Sequence, residues 1–99
     1  MAYKIILSAQ ARSQIRSSAR WYDRQREGLG DEFKVIVREG IKLLQESPFI
    51  FAKYRETYRK MPLRRFPYSV IYQVMEAEQT VIVIAVLHQK QDSNLLFEE

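Results

Sequence analysis

Three consecutive stretches decide the fold: Tyr68-Ser69-Val70-Ile71-Tyr72-Gln73-Val74-Met75, Glu76-Ala77-Glu78-Gln79, and Thr80-Val81-Ile82-Val83-Ile84-Ala85-Val86-Leu87-His88. The first alternates aromatic and β-branched residues, which predicts a strand. The second reads as a polar turn. The third is nearly continuous apolar sequence, which predicts a central strand buried on both faces. Two strands joined so closely pair as an antiparallel hairpin. Just upstream, the stretch from Thr57 to Phe66 is mixed and has Pro62 inside it. A proline cannot donate to a ladder, so this strand is expected at an edge or with a bulge.

Towards the N-terminus the period changes. Tyr3 to Leu7 reads as a short strand, and Ser8 as the N-cap of a helix running from Ala9 to about Gln25. Ala11, Ile15, Ala19 and Tyr22 recur at helical spacing, with Trp21 beside them. Arg12, Arg16, Arg20 and Arg24 step by four and form one basic ridge. Gly28 suits the left-handed end of that helix, and Asp31 is expected to cap a second one from about Glu32 to Glu46. Its wide apolar face is expected to hold Phe33, Ile36, Val37, Gly40, Ile41, Leu43 and Leu44, and Ser47-Pro48 stops it. The order β-α-α-β-β-β predicts an α+β fold, with a helical hairpin covering one face of a small, mainly antiparallel sheet.

Ninety-nine residues fit one domain, here taken as 1–99. With 46% hydrophobic and 28% charged residues, the chain is globular rather than disordered or fibrous. There is no cysteine and only one histidine, which removes disulfides, thiolate metal sites and an all-histidine zinc site. The longest apolar run, Val81 to Leu87, is far short of a membrane span. No signal-peptide core follows Met1, so a cytoplasmic location with no membrane partner is expected.

The formal charge is +4, and much of it is concentrated. Residues 53–65 hold Lys53, Arg55, Arg59, Lys60, Arg64 and Arg65 against Glu56 alone. Such a patch attracts an acidic protein or a nucleic acid. It equally describes a solvated sheet edge blunted by charge. Tyr54, Tyr58, Tyr68 and Tyr72 lie among these cations, a pattern shared by single-strand nucleic-acid binders and half-buried sheets.

Standard catalytic motifs are missing. The glycines, at 28, 30 and 40, make no phosphate loop, and no cofactor or metal is expected. His88 closes the apolar strand, either as a general acid or base or as a structural cap. Arg64 and Arg65 precede Phe66-Pro67-Tyr68; alternation would place them on opposite strand faces, one of them available to a phosphate. The plainer alternative pairs them with glutamates of the second helix. The tail carries an apolar cluster, Leu95-Leu96-Phe97, a further candidate partner contact.

Several of these features together resemble a known family. They are Leu7-Ser8 leading into a helix, Gly28-Leu29-Gly30-Asp31-Glu32-Phe33 opening the next, and Ser47-Pro48 closing it. To these add Leu63-Arg64-Arg65-Phe66-Pro67-Tyr68-Ser69-Val70-Ile71-Tyr72 and Val83-Ile84-Ala85-Val86-Leu87-His88. From residue 3 to about 92 the chain resembles the ParE branch of the ParE/RelE superfamily, the toxins of type II toxin–antitoxin (plasmid stabilisation) modules. The resemblance implies a toxin neutralised by an acidic antitoxin. It also implies either inhibition of DNA gyrase by binding, as in ParE-like members, or messenger RNA cleavage on the ribosome, as in RelE-like ones.

The nuclease branch commonly reads Tyr-Arg-x-x-Tyr where this chain has Tyr68-Ser69-Val70-Ile71-Tyr72, and no tyrosine follows Tyr72. The departure favours a non-enzymatic gyrase inhibitor. The alternatives are a ribonuclease using Arg64, Arg65 and His88, or a member that only binds its antitoxin.

Overall fold

The computed structural model describes residues 2–90. Its first boundary is set by one hydroxyl. Strand β1 (Lys4–Leu7) ends at Ser8, whose Oγ accepts from the Ala11 N–H at 3.0 Å and starts helix α1 (Ala9–Gln25). Ala11 and Ala19 are fully buried on its inner face, where small side chains let the neighbouring helix and sheet approach.

Helix α2 (Leu29–Glu46) begins three residues earlier than the sequence suggested. Its N-cap is Gly28 at φ 88°, so Asp31 lies inside the first turn rather than capping it. The free N–H of Gly30 is met instead by Asp23 of α1, whose Oδ1 accepts at 2.7 Å. A cap donated by the preceding helix fixes the hairpin angle. Gly30 is obligatory there: a Cβ would stand 2.3 Å from the Ala19 carbonyl oxygen.

Four more strands follow: β2 (Lys53–Arg55), β3 (Tyr58–Pro62), β4 (Tyr68–Met75) and β5 (Thr80–His88). The sheet order is β1-β5-β4-β3-β2. Only the β1–β5 pair is parallel, in register from Lys4 opposite Thr80 to Leu7 opposite Val83. The mainly antiparallel α+β fold and the central β5 therefore match expectation. Strand β2 is an addition. Strand β3 lies between β2 and β4, so it is not an edge, and Pro62 sits harmlessly at its end. Beyond it, residues 63–67 form a tight loop with Arg65 at φ 71°, so Arg64 and Arg65 are loop residues and do not alternate across a strand.

A bulge divides β5. Ile71 faces Ala85, but Tyr72 faces Val83, which leaves Ile84 as an extra residue. In a regular strand, residues three apart point to opposite faces. The bulge resets that phase, so Val83 and Val86 both enter the core under the helices with Phe33, Leu44, Val70 and Tyr72. A second cluster, Ile71, Ala85 and Leu87 with Tyr54 and Tyr58, forms on the sheet's other face.

Candidate functional site: a groove between α1 and the end of β5

Strand β1 stops opposite Val83, so the rest of β5 pairs with β4 alone and has no strand on its other side. Side chains of the α1 region take over. Ser8 Oγ donates to the Ile84 carbonyl at 3.0 Å, and Gln14 Oε1 accepts from the Val86 N–H at 2.7 Å. The helix leans over the strand edge and leaves a groove of about 630 Å³. Ser13, Ser17 and Trp21 form one wall, and Tyr68, Val86 and His88 the other. The bulge brings His88 to this side, in phase with Val86.

His88 is held on two sides. Its Nδ1 accepts from the Lys90 N–H at 3.0 Å, and its ring meets Tyr68 edge-on at 5.1 Å. Tyr68 in turn touches Tyr22 and Phe33, which join Phe66 in an aromatic cluster behind the groove. Burial, then the neighbouring Tyr68, pushes the Tyr22 hydroxyl above its ordinary range, so it stays neutral. Trp21 packs against Tyr22 at 5.1 Å yet leaves 50% of its surface exposed. The sequence placed Trp21 beside the apolar stripe of α1; it gave no sign that Gln14 would hold β5.

The arginines proposed for a phosphate are elsewhere. Arg64 Nη2 pairs with Glu39 Oε1 at 2.6 Å, and Arg65 Nη2 with Glu32 Oε1. Glu32 also meets Arg26 at 3.5 Å, and the hydrogen bond from Arg65 holds its carboxyl below the usual carboxylate range. Neither arginine lines the groove that holds His88. The plainer expectation, pairing with α2 glutamates, is what the loop adopts. Ser69 is buried between Pro62 and Leu87 in register.

The rest of the basic patch also divides. Arg59 Nη1 donates to the Phe51 carbonyl at 2.6 Å and lies 5.1 Å from the Phe49 ring. Lys60 lies 5.1 Å from the Tyr54 ring, while Lys53 and Arg55 are exposed on the edge strand β2. Arg16, Arg20 and Arg24 line the exposed side of α1, and no ion pair among the described residues joins them to the acids of α2. Leu95, Leu96 and Phe97 lie outside the described residues. Among those residues no cluster of His, Cys, Asp or Glu could hold a metal ion. No helix among them is long and apolar enough to cross a membrane.

A second groove, about 320 Å³, runs between the two helices and the end of β1. Leu7, Ile15, Val37 and Ile41 give it an apolar floor, and Lys34 and Arg38 a basic rim.

Residues 5–93 match the model of the ParE toxin of the type II toxin–antitoxin system parDE. The chain belongs to the ParE toxin family. It is thus a toxin of the ParE/RelE type. Solved structures share its fold. A chain of the chromosomal ParDE system from P. aeruginosa superposes with a TM-score of 0.75 at 14% identity, covering 88% of this chain and 96% of that one. A chain of the intact E. coli RelBE toxin–antitoxin complex gives 0.69 at 22% identity, covering 91% and 100%. The isolated E. coli RelE toxin also gives 0.69, at 24% identity, covering 97% and 94%. No curated protein matches the ParE-family chain by sequence.

Proposed function

We propose that this ParE-family toxin acts in the bacterial cytoplasm by binding rather than by catalysis. Its target is DNA gyrase, and an acidic antitoxin neutralises it. The observation that carries the reading is the dispersal of the chemistry. Phosphoryl transfer needs cations and an acid–base pair converging on one phosphate. Here Arg64 and Arg65 are neutralised by Glu39 and Glu32, while His88 lies in a different groove. Ser69 occupies the place where a RelE-like enzyme carries arginine, and it is buried.

The antitoxin is assigned to the two grooves beside α1. Their apolar floors suit a chain segment that folds as it binds. The basic rim of Lys34 and Arg38 suits acidic side chains between its apolar anchors.

The deciding experiment runs two assays on the purified chain. Supercoiling by gyrase should be inhibited, and inhibition should vanish on adding the product of the neighbouring gene. Messenger RNA on translating ribosomes should remain intact. Cleavage at ribosomes with unaffected supercoiling would replace this reading with the ribonuclease one, His88 acting as acid.

A further inference from the structure

The loop after α2 exposes two large apolar side chains in succession. Phe49 is 46% exposed and Ile50 57%, and neither lines one of the grooves described above. Such a pair costs a soluble protein unless something covers it.

The loop is also fixed from beneath. The Pro48 carbonyl accepts from the buried Tyr72 hydroxyl at 2.8 Å. The Phe51 carbonyl accepts from Arg59, whose guanidinium lies over the Phe49 ring. Tyr3 meets that ring edge-on at 6.3 Å. The apolar tip thus has both flanking carbonyls anchored to the sheet. Preorganisation of this kind lowers the ordering cost of an interface.

Its surroundings are positive. Lys53 pairs with Arg59 in register, so both side chains lie on the face that carries the loop. Of the other cations of the run, Arg64 and Arg65 are already matched by glutamates, and Lys60 lies over the Tyr54 ring. Lys53 and Arg59, which join no ion pair among the described residues, thus place positive charge beside Phe49 and Ile50.

We infer that Phe49 and Ile50, flanked by Lys53 and Arg59, form a second docking surface, which inserts into an apolar pocket rimmed by carboxylates on a folded acidic protein. A rigid, outward-pointing tip fits a pocket in a folded partner, whereas a chain segment fits a groove. This surface is accordingly assigned to the toxin's target, and the grooves beside α1 to the antitoxin. Only the gyrase arm of the test rests on the function proposed above.

The test uses the full-length chain and the variants Ile50→Asp, Phe49→Ser/Ile50→Ser and Lys53→Glu. Folding is checked by thermal melting and by co-purification with the neighbouring gene product. Growth arrest on induction and half-inhibition of gyrase supercoiling are then compared. The expected result is retained antitoxin binding, loss of growth arrest, and at least a tenfold rise in the gyrase concentration scale. Variants as toxic as the parent chain would overturn the assignment. So would folded variants that lose the antitoxin but still arrest growth. If the parent chain leaves gyrase unaffected, the gyrase reading fails by itself, and the same loss of growth arrest remains the required outcome for the surface. A parent chain that arrests no growth overturns both.

Discussion

The Tyr72 hydroxyl donates to the Pro48 carbonyl at 2.8 Å, joining the centre of the sheet to the loop that ends α2. Tyr72 has no exposed surface, so this bond has no water to replace it. Tyr72→Phe should therefore cost about 1–3 kcal/mol, the penalty of an orphaned buried acceptor. Urea unfolding checks the value. A change below a few tenths of a kcal/mol would show that the loop is not held this way.

The same hydroxyl predicts an alkaline transition. Burial pushes it up to about 12, partly offset by Arg59. In the unfolded chain it ionises near 10. Below about pH 10 both forms are neutral and stability is unaffected. Between about 10 and 12 only the unfolded form loses its proton, so stability falls, by roughly 3 kcal/mol in all. Tyr72→Phe should remove most of that slope when melting is followed against pH.

Gly30→Ala should destabilise the hairpin of helices. The new methyl would meet the Ala19 carbonyl oxygen and the Asp23 carboxyl that caps α2. Overpacking against backbone costs about 1–3 kcal/mol or more, and loss of the cap adds to it. Calorimetry would show it as a lowered Tm. An unchanged Tm would mean that the two helices can separate at little cost.

Ser69→Arg restores the residue type of the nuclease branch but should create no ribonuclease. Position 69 is buried beside Leu87, so a guanidinium there is desolvated without a partner and should cost several kcal/mol. The expected product is a poorly folded chain that leaves ribosome-bound messenger RNA intact. A stable variant that cleaves it would refute the binding mechanism.

His88→Gln should remain toxic. Glutamine can still accept from the Lys90 N–H, which is the contact His88 makes through Nδ1. A general acid or base would instead lose about 10²–10⁴-fold in the chemical step. Growth arrest on plates separates these outcomes, with antitoxin co-purification as the check on folding.

What could be read in advance depended on whether the signal was local. Helix α1 is legible because Ser8 announces it, and β5 because an unbroken apolar run has few other uses. Strand β2 was missed because Lys-Tyr-Arg on an exposed edge buries little and so leaves no apolar pattern. The loop at 63–67 was read as strand because its turn rests on Arg65 at positive φ, where sequence signals favour glycine or asparagine. The Asp31 cap failed for a tertiary reason: Asp23, on the other helix, reaches the site first. The groove itself needed the β5 bulge, which turns His88 towards Trp21, and nothing in the apolar run marks Ile84 as the extra residue. The arginine–glutamate pairs were legible all the same, since α2 and its glutamates were anticipated and opposite charges pair whether the arginines sit on a strand or a loop.

The parallel pairing of β1 with β5 has a consequence for synthesis. Lys4 must find Thr80, and Leu7 must find Val83, so the first strand made has no partner until nearly the last one exists. Contacts this distant in sequence form late and slowly. Until β5 joins the sheet, the helical hairpin must wait with its apolar stripe uncovered, and the groove that holds His88 lacks its second wall. That groove is therefore a late product of folding, closed only when β1 and β5, far apart in the chain, have met.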